Sequence, residues 1–68
     1  MDREAKKRRS MEQVRAHLAR ADSELEAAQG LLDPQTDDEF EMAVVRAVAS
    51  ARTLVRDALE TIRARLWE

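Results

Sequence analysis

The side chains able to do chemistry are few in kind and poorly spaced for it. His17 is the single histidine and the chain has no cysteine. One copy therefore offers no two-histidine metal site, no thiolate site and no histidine dyad. His17 flanks an apolar helical seam, at a heptad g position, where a solvated or ion-paired imidazole is expected. Carboxylates are plentiful, but the Glu-x-x-His spacing of carboxylate-bridged metal bundles is absent. Asp37, Asp38, Glu39 and Glu41 could hold a divalent cation loosely, although a helix start accounts for them better. With Gly30 as the one glycine, a glycine-rich phosphate loop is not available. Ser10, Ser23 and Ser50 have no neighbouring base. No catalytic, cofactor-binding or metal-binding residue is assigned, no cofactor is expected, and the chain is read as a non-enzyme.

Two features point to contacts instead. Lys6-Lys7-Arg8-Arg9 puts four cations in a row, able to meet phosphate but with no aromatic platform beside it for stacking single strands. Trp67 falls outside the apolar stripes of its helix and is a candidate partner contact, as interface tryptophans often are. These five residues are the candidate partner contacts.

The elements that position them are two helices. Asp33-Pro34-Gln35-Thr36 is the one break, because proline disfavours the α conformation at the residue before it. The pattern predicts helix one over about 3–32, a turn at 33–36 and helix two over about 37–67. The whole chain, 1–68, is then one helical-hairpin domain. Thr36 with Glu39 reads as a capping box, placing Asp37 and Asp38 in the first turn; Asp33 as cap with Pro34 at the first helical position is an alternative start. Ser10 with Gln13 is a second possible box, and Gly30 a point where helix one could stop early.

Helix one carries an a/d seam: Met11, Val14, Leu18, Ala21, Leu25, Ala28 and Leu32, at alternating spacings of three and four. Helix two is apolar over a wider arc. Val44, Val48, Ala51, Val55, Leu59, Ile62 and Leu66 form one stripe, with Phe40, Ala43, Ala47, Leu54 and Ala58 beside it. At 100° per residue the two stripes span roughly 140–160°, more than the ~100° one neighbouring helix covers. Met42 and Val45 lie off this arc and suggest a further contact near the turn. Ordering 68 residues costs on the order of 100 kcal/mol, and chains this short usually gain stability by association. The expected fold is an all-α antiparallel hairpin that dimerises into a four-helix bundle, with Leu54 and Phe40 closing the second interface.

Charge is polarised along the rod. Eight acidic and no basic residues lie between Ala21 and Val45, whereas residues 1–20 and 46–68 are both net basic. Helix two suits its dipole; helix one, with Arg3 to Arg9 at its start and Asp22, Glu24 and Glu26 near its end, opposes it. Two rods laid head to tail would bring Asp37, Asp38 and Glu39 towards Arg63, Arg65 or Arg8.

The Leu18-Ala21-Leu25-Ala28 alternation resembles the layered core of Rop-type hairpins, which dimerise into antiparallel bundles. The resemblance implies that architecture; with no shared motif, RNA binding is not carried over from it. The run from Leu18 to Leu59, with Ala27-Ala28, Leu31-Leu32 and Ala43-Val44-Val45-Arg46-Ala47, is faintly similar to the paired core helices of HEPN domains; the Arg-to-His motif of their nuclease members is missing.

The composition is 38% charged and 44% apolar, which argues against a disordered tail and against a membrane span. The absence of cysteine fits a reducing compartment, and no apolar run near Met1 makes a signal peptide. The functional expectation is a small cytoplasmic protein-interaction module: an adaptor, antiactivator, inhibitor or chaperone-like partner. It would act as a homodimer, with a second protein as its target. A Rop-like nucleic-acid binder using the basic end is the alternative.

Overall fold

The computed structural model describes residues 2–66. Helix α1 (Asp2–Gly30) and helix α2 (Glu39–Leu66) pack as an antiparallel hairpin. Trp67 and the side chain of Leu66, both named above as contacts, lie outside the described residues and side chains.

The connection is longer than the expected 33–36 turn. α1 closes at Gly30, where the N–H groups of Leu31 and Leu32 donate to the carbonyls of Ala28 and Gln29, each at 3.1 Å. These i to i+3 bonds tighten the last turn and satisfy two carbonyls that would otherwise be orphaned. Gly30 keeps a negative φ, so the helix ends without a left-handed glycine cap.

A compact turn follows. The Thr36 N–H donates to the Asp33 carbonyl at 3.2 Å and the Gln35 N–H to Asp33 Oδ1 at 2.9 Å. Pro34 occupies the second turn position, which its fixed φ favours.

The start of α2 corrects the capping assignment. Asp38, not Thr36, is the N-cap: its Oδ1 accepts the N–H groups of Phe40 at 2.9 Å and Glu41 at 3.4 Å. The Asp38 carbonyl takes the first helical bond, from the Met42 N–H at 2.9 Å. Thr36 Oγ1 accepts the Asp38 N–H at 3.1 Å and so braces the cap rather than forming it. The physical reason is competition. Thr36 has its backbone committed to the turn with Asp33, and aspartate caps at least as well as threonine. Asp33 is likewise a turn residue, not the alternative cap. Glu41, at the third helical position, reaches back to the Asp33 N–H at 3.1 Å and closes the connection. Ser10 does not start a helix; it lies inside α1, which is continuous from Asp2.

The seam between the helices follows the spacing. On α1, Leu18, Ala21, Leu25, Ala28 and Leu32 are half-buried; on α2, Val44, Val48, Ala51, Val55, Leu59 and Ile62 are. Met11 and Val14, at the open end, stay 37% and 39% exposed. Among the described residues none is fully buried. Val45 shares a shallow groove with Gln29, Leu32 and Pro34. Val45 is half-buried beside that groove.

The register exposes an overhang. Arg52 lies across from Asp22, Glu26 and Gln29 together, while Arg15, Ala19, Leu59 and Arg63 line one groove. Stepping forward on α1 while stepping back on α2 sets Leu66 level with about residue 11. Residues 2–9 therefore run about 12 Å past the last described residue of α2, at 1.5 Å per residue. The molecule is 55 Å long and about 16 Å across.

Candidate interaction surface

Two opposite flanks run along the seam, and they differ in kind. At about 100° per residue, Arg52 and Val45 lie roughly 40–60° to one side of Val48, and Ala47, Leu54 and Ala58 about 80–120° to the other.

The first flank is polar and internally satisfied. Arg52 Nε donates to Asp22 Oδ1 at 2.9 Å, Nη1 to Gln29 Oε1 at 2.6 Å and Nη2 to Glu26 Oε2 at 2.7 Å. Three acceptors at spacings of four and three on α1 thus meet one guanidinium fork on α2, the geometry in which arginine outperforms lysine. Arg56 Nε adds a longer contact to Asp22 at 3.5 Å. Asp22 is 23% exposed and Arg52 14%. The hydrogen bond from Arg52 holds the Asp22 carboxyl below its ordinary value of 3.8, partial burial opposes this, and the charges of Arg52 and Arg56 reinforce it. Reciprocally, the bond to Asp22 pushes the Arg52 guanidinium higher still.

This cluster was missed in the sequence. The available signal was an arginine at the edge of the apolar arc, between Ala51 and Val55, and polar residues at positions 22, 26 and 29 along one edge of the α1 seam. It also redraws the charge map. Asp22 and Glu26 are spent on Arg52, so the acidic excess concentrates in Asp33, Asp37, Asp38 and Glu39 around the turn.

The second flank is apolar and open. Phe40 is 77% exposed and Leu54 69%; Leu31, in the connection just past α1, is 89% exposed. Ala43 and Ala47 are exposed between Phe40 and Leu54, and Ala58 is half-covered. Leu31 has no place in either expected stripe. Its single cue is that Leu31 lies one residue before the seam's end at Leu32. The secondary stripe of α2 is thus left wet by its own hairpin, as its width requires.

The remaining candidates take separate places. Lys6, Lys7, Arg8 and Arg9 are exposed on the overhang. His17, Ser10, Ser23 and Ser50 are exposed and scattered. Asp38 and Glu41 are engaged in capping and in closing the connection. Among the described residues no group of three or more His, Asp or Glu side chains is placed to hold a metal ion, and no helix is long and apolar enough to cross a membrane.

Comparison with protein-family models, with characterised proteins and with solved structures finds no match.

Proposed function

We propose that the chain is a non-enzymatic protein-interaction module that self-associates into a four-helix bundle. In that form it would act in the cytoplasm as an adaptor, antiactivator, inhibitor or chaperone-like partner by occupying a surface of a second protein. The observation that carries this reading is an open apolar flank on a hairpin in which none of the described residues is fully buried. The molecule exposes 5883 Å², against about 4,400 Å² for a compact monomer of this mass by the usual size scaling. The difference, about 1,500 Å², exceeds the ~800 Å² that each partner contributes to a standard interface. Self-association makes stability depend on protomer concentration. Melting temperature should therefore rise between micromolar and millimolar chain, and a concentration-independent melt of a well-folded monomer would contradict the proposal.

A nucleic-acid-binding role is favoured by one observation, the projection of Lys6 to Arg9 past the last described residue of α2. It expects retention on duplex RNA that falls steeply with salt and is lost when those four residues are neutralised.

A further inference from the structure

We infer that a second copy of this chain covers the Phe40–Leu54 flank of α2 head to tail, so that the α1 overhang of each copy lies beside the acidic turn of the other. The inference rests on the self-association reading and specifies its face and orientation.

The face follows from what each flank has left to offer. The Arg52 flank has met its polar demands within the hairpin, and covering it would desolvate a satisfied ionic cluster without supplying new partners. The opposite flank offers large apolar side chains at Phe40 and Leu54, separated by Ala43 and Ala47. Small residues there let helices approach closely while the large ones interdigitate.

The occupant follows from charge. The described overhang carries five cations, Arg3, Lys6, Lys7, Arg8 and Arg9, against Asp2 and Glu4. The connection at the other end carries Asp33, Asp37 and Asp38, with Glu39 opening α2. The two ends of one molecule are thus complementary to each other but cannot meet within it, being 55 Å apart along the rod. A second copy turned end for end brings both pairs together at once, and a symmetric dimer makes each contact twice.

Orientation has a further support in the helix dipole. A twofold axis lying in the interface and crossing the rods stacks α1 on α1 and α2 on α2, each pair antiparallel. α1 has no basic residue in its last turn, and in this arrangement the second copy's overhang supplies cations to that negative end. The start of α2, acidic at Glu39 and Glu41, would meet the end of the other α2, with Arg63 and Arg65. The first turn of α1 carries Asp2 and Glu4, so the cations that would meet the other copy's turn are those that follow it, Lys6 to Arg9.

The test uses the full chain, whose lack of cysteine allows clean single-site labelling. Spin labels at Gln35→Cys should lie more than about 35 Å apart across the dimer, for rods built of helices near 43 Å long. A label at Lys7→Cys on one copy should fall within about 25 Å of one at Gln35→Cys on the other. Gln35 labels within about 20 Å of each other would overturn the head-to-tail arrangement while leaving self-association intact. A folded chain that stays monomeric at all concentrations would overturn both. The charge pairing is read separately, on exposed residues outside the cap and seam. Lys6→Glu with Lys7→Glu should weaken self-association roughly tenfold, as should Asp37→Lys with Glu39→Lys. An equimolar mixture of the two variants should recover the original affinity. If the first variant dimerises normally yet loses retention on duplex RNA, the overhang serves nucleic acid and the inference fails.

Discussion

Arg52 on α2 reaches Asp22 on α1 with a 2.9 Å hydrogen bond, the charged contact that ties the middle of one helix to the middle of the other. Because the same guanidinium also holds Glu26 and Gln29, it fixes how the helices slide and roll against each other. A seam of aliphatic residues repeating at heptad spacing does this poorly, since its layers are similar enough to pack one heptad out of step.

The pH dependence of this contact has a definite sign. The Asp22 carboxyl is held below 3.8 by Arg52, so its contribution to stability is present above that value and is lost as pH falls through the folded-state value. Asp22→Asn should lower the melting temperature at pH 7 and make little difference near pH 2. An equal loss at both values would mean that Asp22 acts through packing and not through its charge.

Replacing Arg52 tests the register role. Arg52→Leu keeps apolar bulk but removes the fork, and should give a hairpin still helical by circular dichroism. Its amide resonances should be broadened or doubled, as expected for exchange between registers. A single sharp set of resonances would show that the seam fixes the register alone.

The cap assignment is open to direct measurement. Asp38→Ala removes the acceptor for the Phe40 and Glu41 N–H groups and should cost about 1 kcal/mol, within the 0.5–2 kcal/mol range of N-cap losses. Thr36→Ala should cost less, because Thr36 only braces the Asp38 N–H. The reverse ranking would restore Thr36 as the cap.

Gly30 offers a stabilising change. It ends α1 at negative φ, and a Cβ added there would meet nothing within 4 Å. Gly30→Ala should raise stability by about 0.4–1 kcal/mol by restricting the unfolded chain. Thermal melting decides it, and a loss would indicate that α1 needs a flexible last turn.

Leu54 separates folding from association. It is 69% exposed on the open flank, so Leu54→Glu removes little from the hairpin itself. The variant should sediment as a monomer, folded or partly unfolded according to how far the hairpin depends on its partner. Retention of the dimer would move the interface to another face.

Much of this architecture was legible because helical periodicity is a strong and local signal. Pro34 located the break, the three-and-four spacing from Leu18 to Leu32 located the seam, and the arc of α2 showed that Phe40 and Leu54 would be left over. What was not legible depended on competition or on long-range register. Thr36 and Asp38 are both good caps, and only the turn at Asp33 decides between them. The reach of Glu41 to Asp33 spans the whole connection. Arg52 looked like one more surface arginine until the pairing of α1 with α2 brought positions 22, 26 and 29 opposite it. The overhang of residues 2–9 likewise follows from register, which the pattern of either helix alone leaves open.

The central claim is that this hairpin completes its apolar packing with a second chain. Sedimentation equilibrium of the unmodified protein at micromolar concentration tests it most directly. The account predicts a mass near twice 7.8 kDa, dissociating on dilution with concurrent loss of helix signal. A stable, fully folded monomer of 7.8 kDa across the same range would contradict it.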